Sequence, residues 1–193
     1  MGQIILASAS ERRSRILSEC GIDHKVIKGE IEETADPGMD ISDIVQINAE
    51  RKAKAVPAEN GMVVIGADTL VMHENSIIGK PKDEEAAKKM LKDFSDSKLD
   101  VYTGLCVIKG EKKAIGFEKS SLRVISLACE RIEKIFKLLG PHDKAGGFSI
   151  EGVGSLIFDD IEGSYFNILG LPMIKLNELF RKIGLDLIDY IKM

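Results

Sequence analysis

Four short stretches of this 193-residue chain gather groups suited to phosphate chemistry. The first is L-A-S-A-S-E-R-R, residues 6–13. An apolar run ends, small polar residues turn, and a helix begins. Free N–H groups at a helix start attract anions. Ser8 and Ser10 add hydroxyls, and Arg12 and Arg13 add planar guanidinium groups able to donate two parallel bonds to a phosphate. The second, G-A-D-T at 66–69, sets Asp68 and Thr69 just past an apolar run, where open α/β sheets bind ligands. A carboxylate there can hold a metal ion or activate a water. The third, G-K-P-K at 79–82, aims Lys80 and Lys82 from a stiff turn, as point charges for a polyphosphate. The fourth is D-K-A-G-G-F at 143–148 followed by I-E-G-V-G at 150–154, whose glycines permit close backbone approach. Glu33, in an acidic segment, is a further candidate metal ligand. Each cluster taken alone also has a plain structural reading: a capped helix, a turn aspartate, a solvated basic turn, a generic glycine loop. No Walker A pattern occurs.

These groups need elements to position them. Residues 3–7 predict a buried strand, and 11–20 a helix capped by Ser10 and stopped by Gly21. Residues 24–28 suggest a second strand. Val45, Ala49, Ala53 and Val56 recur at helical spacing over 42–56. The run 62–67 is apolar throughout and too short for a helix, which suits a strand buried on both faces. Residues 70–72 and 76–78 flank H-E-N as a hairpin. A helix over 83–94, strands over 100–108 and 113–127, a helix over 130–139 ended by Gly140 and Pro141, a strand over 155–159 and a helix over 172–183 with Pro172 in its first turn complete the chain. Strands and helices alternate, with longer strands mid-chain: an α/β fold with a mixed sheet.

Composition narrows the partners. Hydrophobic residues make up 44% and charged residues 30%, an ordinary globular balance. The net charge of -4 and an aromatic content of 5% argue against stable nucleic-acid binding. The three cysteines are scattered, as in reduced cytosolic proteins, and with three histidines they form no zinc spacing. No apolar stretch is long enough to span a bilayer and no signal sequence is visible, so a soluble protein is expected.

Taken together and in order, these motifs resemble the Maf-like nucleoside triphosphate pyrophosphatase family. V-Y-T-G (101–104), N-I-L-G-L-P (167–172) and Lys52 in N-A-E-R-K-A match as well. The resemblance covers nearly the whole chain as one domain, 1–193. It implies an elongated mixed sheet flanked by helices, with two lobes around a central cleft, as in inosine triphosphate pyrophosphatase. It also implies a cytoplasmic, homodimeric enzyme dependent on Mg²⁺ or Mn²⁺. Carried over residue by residue, Asp68 would be the catalytic acid–base group, Glu33 and Asp68 would hold the metal, and Ser8, Arg12, Arg13, Lys52, Lys80 and Lys82 would bind the triphosphate.

Arg12, Thr69 and Glu151 stand where the family sets base choice. Arg12, Thr69 and the segment I-E-G-S-Y-F-N resemble the branch acting on dTTP and UTP. That branch has Gln at the position of Glu151, whereas Glu is typical of the branch acting on 7-methyl-GTP. Because an ionised Glu only accepts hydrogen bonds, CTP and modified bases stay open beside dTTP and UTP, with a 7-methyl-GTP pyrophosphatase as the alternative enzyme. Two further departures are Glu11, where the family has Pro, and F-S-D-S-K-L-D before V-Y-T-G. The competing class is a nucleotide-binding regulator of cell division without essential turnover.

Overall fold

The computed structural model describes residues 2–34, 36, 38–57, 59, 61–138 and 150–192. The D-K-A-G-G-F motif and the Gly140–Pro141 helix stop lie outside the described residues.

Strand β1 (Ile4–Ala7) is fully buried, which is why all four of its residues are apolar. It pairs in parallel with β2 (His24–Val26) and with β3 (Val63–His73), with Leu6 opposite Ile65 and Ala7 opposite Gly66. Parallel neighbours need a crossover. Helix α1 (Glu11–Glu19) supplies the first and α2 (Ile41–Lys54) lies in the second. Ser10 caps α1 by accepting from the Arg13 amide, and Asp40 caps α2 from the Ser42 amide. Such caps are worth about 1 kcal/mol each.

Strand β3 continues past the expected 62–67 into the first arm of the H-E-N hairpin. It pairs antiparallel with β4 (Ser76–Ile78), and Glu74 takes a left-handed φ of 54° in the turn. Helix α3 (Glu84–Asp93) follows. Strands β5 (Lys98–Lys109) and β6 (Lys112–Val124) turn at Gly110, whose φ is +57°. After α4 (Cys129–Phe136), the expected strand over 155–159 proves to be mostly a 3₁₀ turn, Gly152–Ile157. Its buried Gly154 and Ile157 are three residues apart, the 3₁₀ repeat rather than the strand repeat. Strand β7 (Phe158–Glu162) starts later and pairs antiparallel with β6. Helix α5 (Tyr165–Ile168) and a closing 3₁₀ turn, Leu187–Tyr190, have no counterpart in the sequence reading. Helix α6 (Met173–Lys182) has Pro172 as its cap, in extended backbone with ψ 97°, rather than inside the first turn.

Among the described residues the sheet has seven strands in the order β2-β1-β3-β5-β6-β7, with β4 on β3, flanked by helices. This bears out the α/β mixed-sheet expectation. The chain divides into two compact units. One comprises the residues up to Thr69, 102–118 and those from Phe166 onward; the other comprises 70–101 and 119–165. In the first, α2 packs Ala49 and Ala53 on Ile5, Val64 and Cys106, while Ile44 and Val45 are fully buried. Each such side chain contributes about 1.5–3 kcal/mol. In the second, Leu91 and Phe94 of α3 and Ile132 and Phe136 of α4 are buried, with His73 edge-on to Phe94 at 5.0 Å. Among the described residues, no helix is long and apolar enough to cross a membrane.

Two glycines of the first unit decide how α2 sits. A Cβ at Gly66 would strike the Ala49 carbonyl oxygen, and one at Gly104 would strike that of Val45. Helix α2 therefore rests directly on the backbones of β3 and β5.

Candidate active site

Successive residues of β3 point to opposite faces of the sheet. Val64 and Gly66 meet α2, so Asp68 does too, and Thr69 faces the other way, toward α1. The contacts follow this alternation. Asp68 is 4% exposed and accepts from Lys52 Nζ at 2.6 Å on Oδ1 and from Asn48 Nδ2 at 3.0 Å on Oδ2. Lys52 Nζ also lies 2.6 Å from Glu33 Oε1. One ammonium thus bridges two carboxylates, and the trio carries a net negative charge. The Asp68 end is enclosed while the Glu33 side chain is 56% exposed, so the pair opens to solvent on the Glu33 side.

Asn48 ties this arrangement together. Its Oδ1 accepts from the Thr34 amide at 2.9 Å, and its Nδ2 donates to the Thr34 carbonyl at 3.0 Å as well as to Asp68. These partners fix which end of the amide is oxygen. Asn48 therefore holds the segment carrying Glu33 and the Asp68 carboxylate in one frame.

On the opposite face Arg13 is 8% exposed and donates four bonds to the protein. They run to Gly170 O at 2.7 Å, Ser8 Oγ at 2.8 Å, Ala67 O at 3.0 Å and Thr69 Oγ1 at 2.8 Å. Burial lowers its guanidinium to about 10; Asp68 opposes this, Arg12 adds to it, and Glu33 opposes it. It stays protonated at neutral pH. Arg12 donates from Nε to Leu169 O at 2.7 Å. The two arginines so grip consecutive carbonyls of the 167–172 turn, where Gly170 has a φ of +94°.

Beyond Arg13 the bonds have a fixed direction. Thr103 donates to the Asn167 carbonyl at 3.0 Å. A hydroxyl has one proton, so the 2.9 Å contact between Thr69 and Thr103 is donated by Thr69. Thr69, accepting from Arg13 and donating to Thr103, keeps only acceptor capacity for anything else.

Residues 3–183 match the family described as Maf-like protein. The chain belongs to that family. A relative in Caldicellulosiruptor bescii named dTTP/UTP pyrophosphatase is 38% identical over 97% of this chain and 98% of its own. One of the same name in Clostridioides difficile is 42% identical over 93% and 94%. The solved structure of a HAM1 protein from Coxiella burnetii superposes with a TM-score of 0.54 at 16% identity, covering 94% of this chain and 100% of that one. It shares the fold.

In this Maf-like chain the first unit brings together Ser8, Arg12, Arg13, Glu33, Lys52, Asp68 and Thr69. The remaining candidates belong to the second. Lys80 and Lys82 are exposed in the segment after β4. Glu151 precedes the 3₁₀ turn, with no side-chain capping bond to it, and lines a cavity of about 540 Å³ together with Ser155, Asp160 and Tyr165.

The donor set also tests the implied metal. Glu33 and Asp68 offer hard carboxylate oxygens converging on one point, which suits Mg²⁺ or Mn²⁺ completed by substrate oxygens and water. Among the described residues no third His, Cys, Asp or Glu joins them, so the group does not resemble a closed structural site. Sequence reasoning missed Asn48 and Thr103. The signal for Asn48 was available: it is a polar residue on the buried stripe of α2, between Val45 and Ala49. For Thr103 there was only the V-Y-T-G match, which assigned no role.

Proposed function

We propose that this chain hydrolyses pyrimidine nucleoside triphosphates, dTTP and UTP foremost, to the monophosphate and pyrophosphate. The observation that carries the reading is the convergence of Glu33 and Asp68 on Lys52 midway along β3, where its buried half ends, in a chain whose relatives bear the name dTTP/UTP pyrophosphatase.

Asp68 accepts a proton from the water that attacks the α-phosphorus. The new P–O bond forms as the bond to the bridging oxygen breaks, and pyrophosphate leaves with the electron pair. The Asn48 amide, donating to Oδ2, holds the Asp68 carboxylate in position for this. Glu33 and Asp68 would hold Mg²⁺ or Mn²⁺, which supplies charge neutralisation at the phosphate oxygens. Lys52, Arg12, Lys80 and Lys82 bind the triphosphate and stabilise charge on the leaving group, with Ser8 at the turn. Arg13 frames the site. By the family resemblance, Thr69 and Glu151 would be the residues that choose the base. The same reading makes the enzyme cytoplasmic and homodimeric, and light scattering in solution tests the second point.

The test is incubation of the pure protein with Mg²⁺ and each of dTTP, UTP, CTP, GTP and 7-methyl-GTP, with products separated by anion exchange. Monophosphate and pyrophosphate from dTTP and UTP are expected. Diphosphate with orthophosphate, or no turnover in either metal, refutes the proposal.

A further inference from the structure

We propose that Lys52 competes with the divalent cation for the Glu33–Asp68 pair, so that the metal is taken up with the nucleotide rather than as the free ion. This rests on the two-carboxylate reading above and adds to it an order of assembly.

Lys52 Nζ is 2.6 Å from an oxygen of each carboxylate. A cation binding those same oxygens meets the ammonium where its own charge would stand. Two positive centres cannot share that point, so one must leave. The Lys52 side chain is only 13% exposed, and its head leaves two strong charge-assisted bonds when it swings out. A free divalent ion has nothing to offer in return, and its charge repels the departing head.

A triphosphate changes the balance. It gives the ammonium new anionic partners beside the old ones, and the lysine stem is flexible enough to reach them. The backbone of α2, seated on Gly66 and Gly104, need not move. Metal and nucleotide therefore bind with positive coupling, and the coupling resides in one side chain. Asn48 keeps the two carboxylates together during the exchange, since none of its bonds involves Lys52.

The experiment measures Mn²⁺ affinity by electron paramagnetic resonance, with and without a non-hydrolysable α,β-imido analogue of dUTP. In the parent protein the analogue should tighten Mn²⁺ at least about tenfold, within the usual range of coupling between two ligands. Lys52→Met should bind free Mn²⁺ about tenfold more tightly than the parent does, and should lose most of the gain from the analogue. Lys52→Gln gives the same readout should the methionine variant not fold, and a thermal melt identifies the folded variants. Unchanged or weaker binding of free Mn²⁺ by a folded variant would overturn the competition. If instead the parent fails to bind Mn²⁺ even with the analogue, or Glu33→Gln and Asp68→Asn leave its affinity unchanged, the two-carboxylate reading fails and the competition with it.

Discussion

Arg13→Met should act on the frame of the protein before it acts on its chemistry. The arginine donates four bonds, to Gly170 O, Ser8 Oγ, Ala67 O and Thr69 Oγ1. At about 1.5–3 kcal/mol for each bond from a charged donor, the gross loss is large. With burial and Arg12 lowering the guanidinium and Asp68 and Glu33 opposing, it falls to about 10, a net cost to the charged form of roughly 3 kcal/mol. Methionine regains part of the apolar packing but leaves buried carbonyls without a donor. The net expectation is a loss of about 4 kcal/mol, in line with removing one member of a buried charged network. For a chain of this size that is a fall in Tm of roughly 10 °C. Arg13→Lys should recover less than half, because one ammonium cannot span four divergent acceptors. Thermal melts followed by circular dichroism measure this, with kcat and KM taken well below the transition. A methionine variant melting within 2 °C or so of the parent, yet with kcat abolished, would refute the reasoning and make Arg13 a substrate ligand.

Four other outcomes follow from the same geometry. Asp68→Asn keeps the shape of the side chain and removes the proton acceptor, so kcat should fall about 10³-fold in a steady-state assay with little change in fold. Thr103→Val removes one of two donors to the Asn167 carbonyl, which keeps the Gly170 amide at 2.9 Å, and releases the Thr69 proton. It should cost about 0.5–1.5 kcal/mol in urea unfolding and narrow the preference for UTP over CTP, whereas Thr103→Ser should do neither. Gly104→Ala forces α2 off β5 and should cost about 3 kcal/mol or more, read as a lost or shifted melting transition. Burial pushes the Cys106 thiol up to about 12, with Glu50 adding to the rise, so it holds almost no thiolate between pH 7 and 9. A thiol reagent at pH 8 should label exposed Cys129 quickly and Cys106 only after unfolding.

The sequence carried the elements whose pattern is periodic over many residues. Helix α1 with its Ser10 cap, the amphipathic α2 and α3, the apolar runs of β1 and β3 and the H-E-N hairpin are all where spacing put them. The misses cluster between 150 and 172. There the elements are four to six residues long, β7 is nearly all exposed and so lacks an inward face to reveal it, and Gly152 at φ +61° starts a tight turn no pattern announces. The site was legible in part. Asp68 and Glu33 were candidates by type and position, Lys52 came only from the family resemblance, and the three do meet. Which cations face inward was not legible, because Arg12 and Arg13 are adjacent and chemically alike. Only the packed structure shows that Arg13 gives four of its donors to carbonyls and hydroxyls of its own chain.

The glycine seat of α2 bears on how this protein can change over time. Side-chain cushions between a helix and a sheet let the helix drift as the cushion residues are exchanged. Here the spacing at Ala49 and Val45 is set by main chain against main chain at Gly66 and Gly104. Exchanges elsewhere in the core, such as Ile44 or Val64, can therefore accumulate while Asn48 and Lys52 keep their height above Asp68. The reactive geometry is insulated from ordinary drift in the core, at the expense of two positions that admit no side chain at all.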